Sequence, residues 1–145
     1  MALSIDDDRT SQLLMAAYLK DINFCDSLIR KSNGQEALDY FRRAAEGDAI
    51  IPNIVFLDIK MPILDGWGFL DGFSELTDKL HPLPLIVMVS ATKTIEDSTK
   101  ADAHPLVTDL ILKPISADSL VKLTKCPQIE KYFLESHELT IEEAL

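Results

Sequence analysis

Polar side chains that could bind a cation or an anion follow four short apolar runs of this sequence. The runs are Leu3–Ile5, Ile54–Leu57, Leu85–Val89 and Leu110–Leu112. The residues directly after them are, in the same order, Asp6 with Asp7 and Asp8, then Asp58, then Ser90 with Ala91 and Thr92, and finally Lys113 with Pro114. If the runs are parallel strands of one open sheet, their carboxyl ends meet at one edge, where the ligand sites of such sheets lie. We therefore expect carboxylates, a hydroxyl and an amine to cluster there.

Such a cluster predicts magnesium-assisted phosphoryl chemistry. Asp6, Asp7 and Asp58 cannot all ionise at close range without a counter-charge, and one lysine is not enough to supply it. A hard divalent cation resolves the conflict, and Mg²⁺ with one or two carboxylates and retained waters fits these ligands. The cation and Lys113 would neutralise the oxygens of a phosphoryl group while Ser90 donates a hydrogen bond. Asp58, placed centrally, is the candidate nucleophile for an aspartyl phosphate.

Each of these residues also has an ordinary role when it is considered alone. An acidic residue after a strand often caps the next helix, so Asp8 or Thr10 would cap the first helix. A serine in this position is usually part of a turn, and a lysine before a proline usually lies on the surface. Their combination in strand order is what favours a functional site.

The elements that would hold these residues alternate along the chain. The four runs are rich in Ile, Val and Leu, as strands buried on both faces tend to be, and Asp26–Lys31 is a more polar fifth candidate. Helical spacing of apolar residues marks the first helix at Leu13, Leu14, Ala17 and Tyr18, and the third at Phe69, Leu70, Phe73 and Leu76. Capping signals mark the second helix, with a capping box at Asn33–Glu36 before Ala37, Leu38 and Phe41, and the fourth, with a cap at Thr94–Asp97 and an end before Pro105. The fifth helix is predicted from Ser116 to about Lys125. Five strand–helix units predict a doubly wound α/β sheet.

Length and charge limit the classes of partner. The chain has 145 residues, enough for one domain, and its 14 Lys and Arg against 24 Asp and Glu give a net charge of −10. This excess argues against nucleic acid or an anionic membrane as a partner, because both require a basic face. The start of the chain has no signal-peptide pattern, and the longest apolar run, 83–89, is interrupted by Pro84. Two cysteines are too few for a disulfide framework, so we expect a soluble cytoplasmic protein.

These motifs resemble those of the response regulator receiver domain, the phosphoacceptor module of two-component signalling, in its stand-alone, chemotaxis-regulator-like form. The similarity covers about residues 1–125 and lies in Ile5–Asp8, Phe56–Gly66, Val87–Ala91 and Leu112–Pro114. It implies a flavodoxin-like fold, a five-stranded parallel sheet in the order 2-1-3-4-5. The implied domain is 1–125, and 126–145 would be a short C-terminal helical extension or tail.

The resemblance also implies the roles of the acidic residues. Asp58 would accept the phosphoryl group from a phosphohistidine of a histidine kinase or a phosphotransfer protein. Asp7 and Asp58 would ligate Mg²⁺ directly, together with the backbone carbonyl of Lys60, and Asp6 would act through water. The protein would be a switch and not an enzyme, since it would catalyse only its own phosphorylation and dephosphorylation.

The remaining implied roles concern the response to phosphorylation. Lys113 would pair with Asp58 or with the phosphoryl group, and its peptide bond to Pro114 would be cis. Ser90 would turn inward to a phosphoryl oxygen and carry the following loop with it. The family often has an aromatic switch residue three positions before the lysine, where this chain has Leu110. We therefore expect the surface of the fourth helix, fifth strand and fifth helix to respond without an aromatic rotamer.

The end of the sequence carries no effector-sized segment, so we expect signalling through protein contacts with a downstream target that the sequence does not name. Pro127 suits a helix start, and Ile129, Tyr132 and Phe133 would pack one face of that helix against the body. The alternative for 127–145 is a solvated tail. A homodimer through the surface of the fourth helix, fifth strand and fifth helix is compatible with the sequence, but no residue requires it.

Two alternative functions remain open at this point. Asp6-x-Asp8-x-Thr10 fits the opening motif of haloacid-dehalogenase-type phosphatases, but only Asp118 follows the lysine closely as a further acidic residue. That alternative also leaves Met61–Pro62 and Asp65–Gly66 unexplained. A pseudo-receiver, which would bind partners without being phosphorylated, is weakened because all five site residues are present.

Overall fold

The computed structural model describes residues 1–130, in which strands and helices alternate. The strands are β1 (Ala2–Ile5), β2 (Leu28–Lys31), β3 (Ile54–Asp58), β4 (Leu85–Ser90) and β5 (Val107–Leu112). The helices between and after them are α1 (Arg9–Asp21), α2 (Gly34–Ala45), α3 (Gly66–Ser74), α4 (Ile95–Ala103) and α5 (Ala117–Leu123). A single 3-10 turn, Thr77–Lys79, follows α3.

The five strands form one parallel sheet in the order β2-β1-β3-β4-β5, which confirms the predicted fold. Residues of β1 and β3 are buried throughout, whereas β2 and β5 are partly exposed, as expected for edge strands. Leu57 pairs with Ile5 on one side, and Asp58 pairs with Val89 on the other. The register therefore brings the carboxyl ends of the central strands to the same level.

Two apolar layers cover the faces of the sheet. The layer under α2 and α3 is rich in aromatic side chains, and the ring centroid of Phe41 lies 5.8 Å from that of Phe69 and 5.0 Å from that of Phe73. The layer under α1 and α5 includes Phe24 and Phe56, whose centroids are 6.1 Å apart. The central strands are thus packed on both faces, which fixes the position of their ends.

Side-chain caps set the starts of the helices. The capping box predicted before α2 is formed, since Asn33 Oδ1 accepts from the Glu36 N–H at 2.9 Å and Asn33 Nδ2 donates to the Glu36 carboxylate at 3.3 Å. The cap predicted before α4 is also present, because Thr94 Oγ1 accepts from the Asp97 N–H at 3.0 Å. Ser116 caps α5 at the predicted position.

The prediction for the face of α1 was wrong. The residues taken to mark its apolar stripe lie largely on the outside, with Leu13 54% and Leu14 40% exposed, and the buried residues are Gln12, Met15 and Leu19. Gln12 is buried because its amide Nε2 donates to three carbonyl oxygens at the ends of β1 and β2, at 3.2, 3.1 and 3.0 Å. This polar anchor orients α1 so that Leu13 and Leu14 point away from the sheet.

The predicted bounds of the edge strands also needed correction. β5 begins at Val107, three residues before the predicted start, because the polar residues Thr108 and Asp109 interrupt the apolar run of this edge strand. β2 is shorter than predicted and begins at Leu28. In the described part of the chain, no helix is both long and apolar enough to cross a membrane.

After α5, residues 127–130 are helical, as the proline at position 127 predicted. Ile129 is completely buried in the layer under α1 and α5. The predicted packing of Tyr132 and Phe133 falls on residues outside the described part. The division of the chain at residue 125 stays a prediction.

Replacing the buried amide tests its part in the fold. Gln12→Leu should lower the free energy of unfolding by about 2 kcal/mol, since it leaves three carbonyl oxygens at the strand ends without this donor. Urea denaturation of Gln12→Leu beside Gln35→Leu measures the effect. Gln35 is a partly exposed glutamine of α2 whose side-chain hydrogen bond to Asp39 lies at the surface, so its replacement should change stability by less than about 0.5 kcal/mol. Equal losses in the two variants would contradict the anchoring role of Gln12.

Candidate functional site

The acidic residues after β1 and β3 converge as the sequence predicted. Each of Asp6, Asp7 and Asp58 offers a carboxylate oxygen, and these oxygens all lie within 4.8 Å of one another. Asp6 and Asp58 are buried and Asp7 is exposed. Because adjacent parallel strands fix the backbones of Asp6 and Asp58, the two buried carboxylates cannot move far apart.

Lys113 supplies the positive charge in this cluster. Its Nζ lies 2.7 Å from Asp6 Oδ2 and 3.5 Å from Asp58 Oδ2, so it bridges the two buried carboxylates and lies closer to Asp6. Its backbone N–H donates to the Ser90 carbonyl at 2.8 Å, which ties the end of β5 to the end of β4. The Lys113–Pro114 peptide bond is cis, as the resemblance implied.

Ser90 is the last residue of β4 and is buried beside the carboxylates. Its hydroxyl donates to the Thr92 carbonyl at 2.5 Å and accepts from the Thr92 N–H at 3.2 Å. The hydroxyl therefore closes a local turn at the start of the β4–α4 loop. A change of its hydrogen-bond partner would release this turn.

The electrostatics of the pocket centre on Asp58. Burial raises the pKa of Asp58 first, the charge of Asp6 raises it further, and Lys113 opposes both, so that it reaches about 7. Burial alone would lower the pKa of Lys113, but the hydrogen bond to Asp6 and the charges of Asp58 and Asp6 outweigh it and raise that pKa. The single lysine therefore leaves the carboxylates incompletely neutralised, as the sequence argument expected.

Asp7 and Asp58 border a cavity of about 220 Å³ that opens to solvent. Its lining residues are Asp7, Asp58, Lys60, Ser90, Ala91, Thr92 and Lys113. The carboxylate oxygens of Asp7 and Asp58, with that of Asp6 within 4.8 Å, suit a hard divalent cation better than a soft one. The cavity also leaves room beside Asp58 for a group that contacts Ser90 and Lys113 together.

Gly66 brings the loop after β3 back onto Asp58. A side-chain Cβ at this position would lie 2.5 Å from the backbone carbonyl oxygen of Asp58, so only glycine permits the approach. The Gly66 N–H donates to the Ile59 carbonyl at 2.8 Å and closes the loop. The Asp–Gly pair of the sequence motif therefore has a steric cause.

Asp8 does not join the acidic cluster. It caps α1, because its carboxylate accepts from the Thr10 N–H at 3.1 Å and from the Ser11 hydroxyl at 2.8 Å, and these bonds lower its pKa. This is the ordinary role that the sequence left open. It also occupies the carboxylate that the phosphatase alternative requires.

Two residues near the site connect it to α4 and β5. Trp67, the second residue of α3, donates its indole N–H to Asp97 of α4 at 3.4 Å, and Lys100 Nζ lies 4.6 Å from its ring centroid. Leu110, at the proposed switch position, is partly buried against the layer under α2 and α3. The sequence gives no signal for the contacts of Trp67 with α4, because they depend on how the two helices pack.

A family comparison decides the classification. The model of the response regulator receiver domain matches residues 2–125. The chain belongs to this family. The match removes the basis of the phosphatase alternative and agrees with the strand order and the position of the acidic cluster.

Individual relatives of this receiver domain differ in length. It is 25% identical over 132 residues to the probable methanogenesis regulatory protein FilR2 of Methanothrix harundinacea, covering 91% of this chain and 82% of that protein. It is 29% identical over 125 residues to the sensor histidine kinase CheAY of Helicobacter pylori, covering 86% of this chain but only 14% of the kinase. A crystal structure of a two-component response regulator from Cytophaga hutchinsonii superposes with a TM-score of 0.78 at 22% identity, covering 90% of this chain and 96% of that one, and so shares the fold.

Removing the charge of Asp58 should stabilise this receiver domain in metal-free buffer. Asp58 keeps its proton up to about pH 7 in the native protein, whereas in the unfolded chain its carboxyl group loses the proton near pH 3.8. The native protein therefore loses stability relative to the unfolded chain as the pH rises between these two values. The full difference corresponds to ~4 kcal/mol, and solvent screening in an open pocket reduces it to about 2 kcal/mol. Asp58→Asn should therefore raise the free energy of unfolding by about 2 kcal/mol at pH 8 and by much less at pH 5.

Urea denaturation at both pH values in the presence of a chelator measures this difference. Asp71→Asn, which removes an exposed carboxylate of α3, is the matched control and should show no such pH dependence. A loss of stability in Asp58→Asn at pH 8 would mean that the hydrogen bonds of the carboxylate outweigh its repulsion.

Proposed function

We propose that this receiver domain is a phosphorylation switch that accepts a phosphoryl group on Asp58 from a phosphohistidine in a magnesium-dependent reaction. The observation that carries the proposal is the convergence of Asp6, Asp7 and Asp58 on Lys113, beside an open cavity that Asp7, Asp58, Ser90 and Lys113 line. We further propose that the signal passes through protein contacts to a downstream target. The domain then catalyses only its own phosphorylation and dephosphorylation and is not an enzyme for other substrates.

In the transfer, a carboxylate oxygen of Asp58 attacks phosphorus and the bond from phosphorus to the imidazole nitrogen of the donor breaks. The electron pair of that bond stays on the imidazole nitrogen. The ring leaves as neutral imidazole when its other nitrogen carries a proton, and otherwise it becomes neutral by taking a proton from solvent. We propose that Lys113, whose Nζ lies 3.5 Å from Asp58 Oδ2, pairs with a phosphoryl oxygen, and that the Ser90 hydroxyl leaves the Thr92 carbonyl and donates to another. Asp58 has to be ionised to attack, which its raised pKa opposes near neutrality.

Asp7 and Asp58, with the backbone carbonyl of Lys60, are the proposed direct ligands of Mg²⁺, and Asp6 is proposed to act through water. When bound, the cation supplies the positive charge that lets Asp58 ionise and that neutralises the transferred group. The support is the set of donors: one carboxylate oxygen from each of three aspartates lies within 4.8 Å of the others, and a single lysine is paired with them. Lys60 lines the same cavity.

The proposed partners are proteins. Leu13 and Leu14 form an exposed apolar strip on α1, and Leu14 lines a second cavity with Lys113 and Ala91 beside the site. An apolar strip next to the phosphoacceptor suits the approach of a histidine kinase or a phosphotransfer protein. The net charge of −10 supports neither nucleic acid nor an anionic membrane as a partner. We also propose a cytoplasmic location, in keeping with the free thiols of Cys25 and Cys126.

Acetyl phosphate with Mg²⁺ tests the phosphoacceptor. We expect intact-protein mass spectrometry to show a gain of one phosphoryl group, which is absent in Asp58→Asn and retained in Asp71→Asn. Omitting Mg²⁺ should abolish the gain, since the carboxylates then lack a sufficient counter-charge. A protein that gains no phosphoryl group from acetyl phosphate or from any kinase is instead a pseudo-receiver.

The turn at Ser90 should respond to occupation of the pocket. In crystals grown with beryllofluoride and Mg²⁺, we expect the Ser90 hydroxyl to leave the Thr92 carbonyl and to donate to the bound fluoride, which moves the 90–92 segment. Comparison with crystals of the protein alone measures the shift. Identical 90–92 backbones in the two crystals would contradict this role of Ser90.

A further inference from the structure

Ile63 has a backbone conformation that is unfavourable for its side chain. Its φ is 70°, in the left-handed region, and the Leu64 N–H donates to the Pro62 carbonyl at 2.8 Å across it. A three-residue turn with positive φ at its centre is rare and strained, and a β-branched residue fits it poorly. Glycine or asparagine would adopt the same turn at lower cost.

The neighbouring backbone imposes this conformation. On one side of Ile63, the loop begins at Ile59, whose carbonyl accepts from the Gly66 N–H at 2.8 Å. On the other side, the Leu64 carbonyl accepts from the Gly34 N–H at 3.0 Å, and a Cβ at Gly34 would lie 2.5 Å from that oxygen. The turn is therefore held at both ends, and an isoleucine placed in it has to accept the strain.

The side chain of Ile63 contributes little to the packing of the described residues. It is 80% exposed, and among the large apolar side chains of residues 1–130 only Ile95, at 87%, is more exposed. Both lie at the carboxyl edge of the sheet, since Ile95 directly follows the β4–α4 loop whose first residues line the cavity at Asp58. An apolar side chain that is strained and unpacked in the described part of the chain is better explained by contact with another molecule.

We infer that Ile63 is an anchor for the protein that donates the phosphoryl group, and this inference rests on the proposed function. Ile63 is four residues from Ile59, so its Cα lies within ~14 Å of the residue that follows Asp58. Lys60 of the same loop lines the cavity. A protein that brings a phosphohistidine to Asp58 has to cover this loop, and a donor with an apolar patch beside its histidine buries Ile63 there. A small phosphodonor reaches Asp58 without that contact.

Three variants separate the side chain from the strain. Ile63→Asn keeps a residue that tolerates positive φ and removes the apolar surface, whereas Ile63→Leu keeps the apolar surface. Ile50→Asn is the matched control, because Ile50 is 71% exposed but lies before β3, at the opposite edge of the sheet. The probes are acetyl phosphate and a panel of autophosphorylated histidine kinases from the genome that encodes this chain.

With the fastest kinase of the panel, we expect kcat/KM for transfer to Ile63→Asn to fall roughly tenfold, mainly through KM, since one buried isoleucine is lost from the encounter. Ile63→Leu should retain most of the transfer and Ile50→Asn all of it. Acetyl phosphate should label the three variants and the unaltered protein at equal rates. The Tm of Ile63→Asn should rise, because the strain is relieved.

Other outcomes would overturn the inference. Equal kinase rates for Ile63→Asn and the unaltered protein would show that the donor does not use this side chain. A lower Tm in Ile63→Asn would show that the side chain is covered within the chain, and loss of a dimer by light scattering would assign it to a second copy. If acetyl phosphate labels the protein but no kinase of the panel transfers a phosphoryl group to it, no protein donor exists that Ile63 could contact, and the inference is wrong. Failure of both probes on the unaltered protein would instead contradict the proposed function.

Discussion

Repulsion between two carboxylates that the backbone holds side by side governs the carboxyl edge of this sheet. Asp6 and Asp58 follow and end adjacent central strands, and both are buried, so neither can turn into solvent to reduce the repulsion. Lys113 bridges them, yet the pKa of Asp58 is still raised to about 7 by burial and by Asp6. The packing of both faces of the sheet supplies the free energy that keeps these charges together. A site of this kind gains affinity for any ligand that brings positive charge.

The same edge connects Asp58 to α4 through two sets of contacts. The Ser90 hydroxyl holds Thr92, two residues before the cap of α4 at Thr94. Trp67 follows Gly66, which lies against the backbone of Asp58, and contacts Asp97 and Lys100 of α4. Leu110, where the family often has an aromatic residue, is partly buried in an apolar layer. A change at Asp58 would therefore reach α4 through the Ser90 turn and the contacts of Trp67, and not through a rotating side chain on β5.

Sequence reasoning was accurate where a residue's role depends on its neighbours along the chain, and it was wrong where the role depends on distant ones. The order of the site residues and the caps at Asn33 and Thr94 follow from local rules. The inward face of α1 does not, because residues 13–17 are all apolar and their periodicity cannot select a face. The choice is made by Gln12, whose three carbonyl partners come from two strands. Ile63 likewise reads as an ordinary apolar residue until its φ is known.

The two edges of the sheet divide stability and function between them. Away from the carboxyl edge, Phe24 and Ile129 are both buried in the apolar layer under α1 and α5. At the carboxyl ends lie the crowded carboxylates, the strained turn at Ile63 and the two most exposed large apolar side chains of residues 1–130. Each of these features is unfavourable in the isolated domain. A bound cation would relieve the repulsion between the charges and a bound protein would cover the apolar side chains, whereas the backbone strain at Ile63 is imposed by the loop itself. A fold selected only for stability would not collect all of them at the carboxyl edge of the sheet.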